Sequence, residues 1–189
     1  MPIKLNGATS GYTQIQAAAV AGNNVLALPT TGTTLLSDGN TLTFTQTQTF
    51  AGNTGALAFA CNNIGEVVTI ASSAPTATTN YDITTQSVIY NPVATTNNWT
   101  INFRANSTNT LNSIMSVGQA VTCVYIATVS AVSSYNNGYT VDGATVVPKW
   151  AGGVAPTIGY INSLNVYTYT LIKTANATWV VLANLQKFA

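Results

Sequence analysis

Residues 139–188 read YTVDGATVVPKWAGGVAPTIGYINSLNVYTYTLIKTANATWVVLANLQKF, and their first eight positions specify a strand pairing. With Asp142-Gly143 as a two-residue loop, Val141 faces Ala144, Tyr139 faces Val146, and Thr140 faces Thr145 on the opposite side. Asp-Gly suits a type I′ turn, whose two central positions both need positive φ. Apolar meets apolar and polar meets polar, so pattern and turn agree on one register. Farther along, Lys149–Gly153 and Ala155–Thr157 read as a connecting loop, rich in glycine and proline. Asn165–Lys173 and Thr178–Leu185 then read as two strands around a short Asn-containing turn. The stretch also holds two of the three tryptophans and three of the five cationic residues.

The same reading extends upstream. Gln119–Val132 is β-branched and apolar on both faces, which predicts a central strand. Leu111–Val117, ahead of Gly118, is the one stretch suited to a helical turn or two. In WTINFRA (99–105), Trp99, Ile101 and Phe103 fall on one side and Thr100, Asn102 and Arg104 on the other, a clean period of two. Leu57–Cys61, Glu66–Ile70, Tyr81–Thr84 and Ser87–Tyr90 read as short strands, the last ending at Asn91-Pro92. Ser72–Thr79, with Pro75, reads as a loop. Asp38-Gly39 repeats the hairpin signal, pairing Leu35 with Leu42 and Thr33 with Phe44. After it Thr41, Thr43, Thr45, Thr47 and Thr49 share one face, either the wet side of a half-buried strand or a threonine ladder against a neighbouring chain.

Ten or more short strands with almost no helix predict an all-β protein. The expected architecture is an antiparallel β-sandwich or jelly-roll-like domain over residues 51–189, preceded by an extended, strand-rich arm over residues 1–50. The arm carries no charge between Lys4 and Asp38, and Gly7, Gly11, Gly22, Pro29 and Gly32 break it every few residues. Short strands fit at Tyr12–Gln16 and Asn24–Leu28. So small a piece buries no core alone. It is expected to lie against the rest of the chain or another subunit, through Ile3, Leu5, Tyr12, Ile15, Val25, Leu28 and Leu35.

Composition narrows the function. Hydrophobic residues make up 47% of the 189 residues and charged residues 5%, against roughly 25% charged in an average domain. A net charge of +1 offers no attraction for nucleic acid or anionic lipid. No run of about 18 apolar residues predicts a membrane span, and MPIKLNGATSG lacks the apolar core of a secretory leader. Synthesis in the cytosol is expected. Cys61 and Cys123 lie in apolar runs and read as buried free thiols. So few charges are hard on the solubility of a free monomer and point to a surface buried in an assembly.

Groups suited to chemistry are sparse. There is no histidine, which removes the commonest general base and metal ligand together. The acids Asp38, Glu66, Asp82 and Asp142 are scattered, and two of them are explained by Asp-Gly turns. No phosphate loop, dinucleotide fingerprint or nucleophile elbow is present. The expectation is therefore no catalytic residue, no cofactor and no metal. Five dispersed cations make no basic stripe, and Arg104 reads as a solvated or singly paired charge. Sequons at Asn98, Asn106 and Asn176 arise by chance in so Asn- and Thr-rich a chain. Aromatic residues carry the remaining binding potential. Trp99 and Trp179 lie on strands and read as core. Lys149, Trp150 and Tyr160, on the Gly-rich loop, are the candidates for contact with a partner or ligand.

Two sets of motifs carry a resemblance. The opening has Gly7–Gly11 (GATSG), Ala21–Asn24 (AGNN), Leu28-Pro29 and Gly32-Thr33, and it resembles a segment near the start of fibre and other virion proteins of tailed bacteriophages. YDITTQSVIY (81–90), NWTINFRA (98–105), VDG (141–143) with PKWAGG (148–153), and NVYTYTLIKT (165–174) resemble structural proteins of marine and cyanobacterial phages. The resemblance implies a virion component on the outside of the particle: a head-decorating, cement or knob-like protein. It would be a homotrimer attached through its N-terminal arm to the major capsid protein or tail proteins. The alternative is a short tail-fibre or receptor-binding appendage with a host-surface glycan as partner. Neither role implies an enzyme, a nucleic acid or a membrane.

Overall fold

The computed structural model describes residues 3–6, 12–15 and 64–189. The chain divides into two compact units, Met1–Ala60 and Cys61–Ala189. In the first, β1 (Ile3–Asn6) and β2 (Tyr12–Ile15) pair antiparallel, with Ile3 opposite Ile15 and Asn6 opposite Tyr12. β2 matches the strand expected at Tyr12. The remaining arm strands, the Asp38-Gly39 hairpin, the threonine face, Leu57–Cys61 and the thiol of Cys61 lie outside the described residues.

The second unit is all-β in two sheets. Its strands are β3 (Val68–Ile70), β4 (Thr78–Asp82), β5 (Val88–Thr95), β6 (Trp99–Arg104), β7 (Ala120–Val129), β8 (Asn136–Val141), β9 (Ala144–Thr145), β10 (Lys149–Trp150), β11 (Ser163–Ala175) and β12 (Thr178–Phe188). One sheet has the order β10-β12-β11-β7-β5-β3 and the other β4-β6-β8-β9. β7 sits inside its sheet, as its apolar composition predicts. The buried positions of β6 are Trp99, Ile101 and Phe103, the face that its alternation marks as apolar.

The antiparallel jelly-roll expectation is corrected by the strand directions. Five of the eight pairings in this unit run parallel and three antiparallel. The chain crosses from one sheet to the other and back: β3, β5 and β7 stack in parallel in the first, while β4, β6 and β8 stack in parallel in the second. Parallel neighbours need a long return connection, commonly a helix. Here the return is a strand of the opposite sheet, so the chain winds through three rungs and then closes with the long β11–β12 hairpin.

Two local readings also change. β5 does not stop at Asn91-Pro92 but runs on to Thr95. Its pairing with β7 shifts register between Asn91 and Thr95, and such an irregularity is where a strand tolerates proline. Lys149-Trp150, expected in a loop, forms β10, parallel to the middle of β12, before a 3-10 turn over Ala151–Gly153.

The Asp142-Gly143 turn has the predicted register, with Val141 opposite Ala144 and Thr140 opposite Thr145, and both residues have positive φ (50° and 81°). Asp142 does more than turn. Its carboxylate accepts the backbone N–H groups of Leu111 (2.7 Å) and Asn112 (2.9 Å), satisfying donors at the start of the single-turn helix α1 (Leu111–Ile114). At the other end Lys173 Nζ donates to the carbonyls of Asn112 (2.6 Å) and Met115 (2.7 Å). So short a helix does not hold itself together. An acid and a base from two different hairpins hold it instead.

The core between the sheets is aromatic. Trp99 lies 5.8 Å from Tyr125 and 5.9 Å from Tyr167, and Phe103 lies 5.1 Å from Tyr169. All five are fully buried, each contributing about 2–3 kcal/mol by area. Cys123 is a buried free thiol, and burial pushes its pKa up to about 12. Trp179, expected in the core, is half-buried and has Lys173 Nζ 5.9 Å from its ring centroid.

Candidate interaction surface

Among the described residues no three His, Cys, Asp or Glu side chains come together. Asp82 is spent on Arg104, which donates to both of its carboxylate oxygens (2.5 and 3.3 Å); Asp142 is spent on α1. Glu66 is exposed. Arg104 is thus the singly paired charge that its polar face suggested.

The loop between β10 and β11 concentrates exposed apolar side chains: Val154 (77% exposed), Ile158 (59%), Tyr160 (46%) and Ile161 (47%). From Trp150 to Ile172 the sequence carries no charge. The loop is nonetheless tightly held. Asn165, fully buried, uses its side-chain amide on both polar groups of the Tyr160 backbone: Oδ1 accepts the N–H (2.9 Å) and Nδ2 donates to the carbonyl (2.7 Å). Ser163 Oγ donates to the same carbonyl (2.7 Å). The N–H groups of Gly159 and Asn162 donate to the carbonyls of Ser133 and Ser130, both at 3.0 Å. Gly159 is buried so closely that a Cβ there would lie 2.0 Å from the Ser134 carbonyl oxygen. A glycine is required by this approach.

Trp150 belongs to the scaffold under the loop more than to its surface. It is half-buried, with its ring edge-on to Tyr139 (5.8 Å) and Tyr169 (6.4 Å). Beside it a depression of about 330 Å³ is lined by Trp150, Val154, Pro156, Ile158, Tyr160 and Leu185, among others. Lys149 is exposed. Of the three loop residues singled out from sequence, Tyr160 therefore offers the most accessible ring. Of the proposed arm contacts, Ile3, Leu5, Tyr12 and Ile15 lie on the β1–β2 hairpin; Val25, Leu28 and Leu35 lie outside the described residues.

The clamp at Asn165 was not singled out from the sequence, although a signal for it exists. In β11 the buried positions alternate as Ser163, Asn165, Tyr167, Tyr169, Leu171 and Lys173, so an amide and an ammonium occupy core parity. Polar groups placed there need partners, and they found them in the loop and in α1. Comparison with protein-family models, with curated proteins and with solved structures finds no match for this chain.

Proposed function

We propose that this protein is a structural component of a tailed-phage virion: an outer capsid decoration, cement or knob-like protein that assembles as a homotrimer. It attaches through residues 1–50 to the major capsid protein or to tail proteins, and it is made in the host cytoplasm. The motif resemblance supplies the class. The observation that carries the reading is the Val154–Ile161 loop, an uncharged apolar surface pinned by buried hydrogen bonds. Such a preorganised surface loses little conformational entropy on contact. Contacts without charge are also little affected by salt, and weak contacts repeated over many copies give firm attachment.

Mass spectrometry of purified particles, with a cryo-EM map to count copies, tests this. Hundreds of copies on the head are expected. A few dozen or fewer on the tail would move the protein to the short tail-fibre or receptor-binding role, and absence from the particle would remove both. Deleting residues 2–36 should leave a folded β domain that no longer joins particles. Full incorporation of the truncated protein would overturn the docking role of the arm.

A further inference from the structure

The two sheets of the second unit differ in the faces they turn outward. On the four-stranded sheet the outward positions are polar and bonded to one another. Asn102 Nδ2 donates to Asn80 Oδ1 (2.9 Å), Thr140 Oγ1 donates to Asn102 Oδ1 (2.8 Å), and Arg104 pairs with Asp82. That is the pattern of a sheet face in water. The six-stranded sheet has no such face. Its buried positions include Ile89, Tyr125, Tyr167 and Val181, so the alternate positions point away from the core. In register they form two rows across four strands, Val68–Val88–Val124–Thr168 and Ile70–Tyr90–Ile126–Val166. Only Thr168 interrupts their apolar character.

The same character reaches both ends of the face. Leu164 lies opposite Phe188, which is 54% exposed, beside a shallow depression of about 580 Å³. Thr170 lies opposite Leu182, and on β3, the outermost strand among the described residues, Val68 and Ile70 are exposed. No outward position of β3, β5, β7, β11 or β12 carries a charge. Lys149, on β10 opposite Leu182, stands at the margin. At about 4.8 Å between strands and about 6.8 Å between outward residues, the face spans about 600 Å². An apolar patch of that size marks a contact surface. Two such faces together reach about 1,200 Å², the lower bound for a stable protein interface.

We propose that this face packs against the same sheet of other copies of the chain, forming the subunit contact of the homotrimer. The absence of charge selects this occupant. An uncharged face meets its own copy without like-charge repulsion, whereas it offers an acidic or basic partner nothing to pair with. Its apolar centre also matches permanent assemblies, which bury more hydrophobic surface than transient ones. The proposal rests on the homotrimer reading for the number of copies alone.

Size exclusion with light scattering on the full chain, at micromolar concentration, should give the mass of three chains. Val166→Glu places a charge in the middle of the face and should weaken association at least about a hundredfold, leaving single chains. Its near-UV circular dichroism, which reads the inward aromatic core, should stay that of the parent. Thr145→Glu, exposed on the four-stranded sheet, is the control and should keep the parent mass. Should Val166→Glu lose the near-UV signal, Ile126→Thr is read instead; it stays β-branched and should associate about tenfold more weakly. Single chains in the parent would overturn the proposal and assign the face to residues 16–63 of the same chain or to a foreign partner. Parent mass in both Val166→Glu and Ile126→Thr would overturn it by moving the contact elsewhere. The particle role fails separately: trimers absent from purified particles would remove that role and leave this face. Single chains in solution that are nonetheless found on particles would do the reverse.

Discussion

Asn136 shows how a single side chain can join both layers of this molecule. It is 1% exposed, and the register of β6 with β8 shifts there, pairing Trp99 with Asn136 but Thr100 with Gly138. The extra residue, Asn137, is the kind of bulge that re-aims a neighbouring side chain. Asn136 Oδ1 accepts the Tyr169 hydroxyl (2.7 Å), and its Nδ2 donates to the carbonyls of Trp99 (2.8 Å) and Gly138 (3.1 Å). Its backbone N–H donates to Tyr167 Oη (3.2 Å), and its carbonyl accepts the Tyr139 hydroxyl (2.5 Å). Asn136→Leu takes the partner from the Trp99 and Gly138 carbonyls and the Tyr169 hydroxyl, on three strands, and should lower the unfolding free energy by about 3–4 kcal/mol, measured by urea denaturation. In a double-mutant cycle with Tyr169→Phe, the combined loss should fall short of the sum. A loss below about 1 kcal/mol would mean that the network is not a unit. Lys173, 6% exposed, is the second such residue. Lys173→Met keeps the packing of the stem but removes both donors to the α1 carbonyls, and it should cost about 2–4 kcal/mol. Hydrogen exchange should rise locally at Leu111–Met115; unchanged protection there would reject the clamp.

At the scale of elements, alternation made the strand faces legible, and chemistry at the wrong parity marked what was missed. Trp99, Ile101 and Phe103 in β6 could be assigned to the core from period two alone. The Asp142-Gly143 turn gave the β8–β9 register, because only one pairing satisfies both turn and pattern. The capping role of Asp142 was not legible, since its partners Leu111 and Asn112 lie some thirty residues away. The rigidity of the β10–β11 loop was hidden in part for the same reason: glycine and proline mark a turn locally, whereas the backbone bonds of Gly159 and Asn162 reach back to Ser133 and Ser130, and the core parity of Asn165, five residues from Tyr160, was the one local sign of the clamp. That rigidity makes a prediction. Gly159→Ala forces a Cβ against the Ser134 carbonyl oxygen, so the loop must lift. Limited proteolysis should then cut within residues 154–162 at least about tenfold faster, since cleavage follows the population of opened loop. Hydrogen exchange in β7 and β11 should stay slow. A loop equally resistant in the variant would show that the buried amide alone holds it.

At the scale of the whole molecule, strand direction was the part that the sequence could not disclose. Period two is the same in parallel and antiparallel strands. Short connections such as Thr96–Asn98 fit a hairpin equally well, and only the spatial outcome shows that β5 and β6 lie in different sheets. Composition does fix a property of the whole chain, its response to pH. There is no histidine, so no side chain at its ordinary pKa changes charge between pH 5 and 8. Burial instead raises the pKa values of Cys123, to about 12, and of Tyr81, Tyr125, Tyr139, Tyr167 and Tyr169. In the unfolded chain these groups ionise from about pH 8.5 for the thiol and about pH 10 for the phenols. Above those values the unfolded state has released protons that the native state still holds. Stability is therefore fully present below the unfolded pKa values and falls as pH rises toward the folded ones, by about 1.4 kcal/mol per pH unit for each group titrating. Thermal unfolding should give a Tm that is flat from about pH 6 to 8.5, declines gently to about 10 and drops steeply beyond. Tyr169→Phe should make the steep part shallower by one group's share. A Tm that holds level to pH 11 would mean that the tyrosine hydroxyls reach solvent, and the closed aromatic core described above would have to be given up.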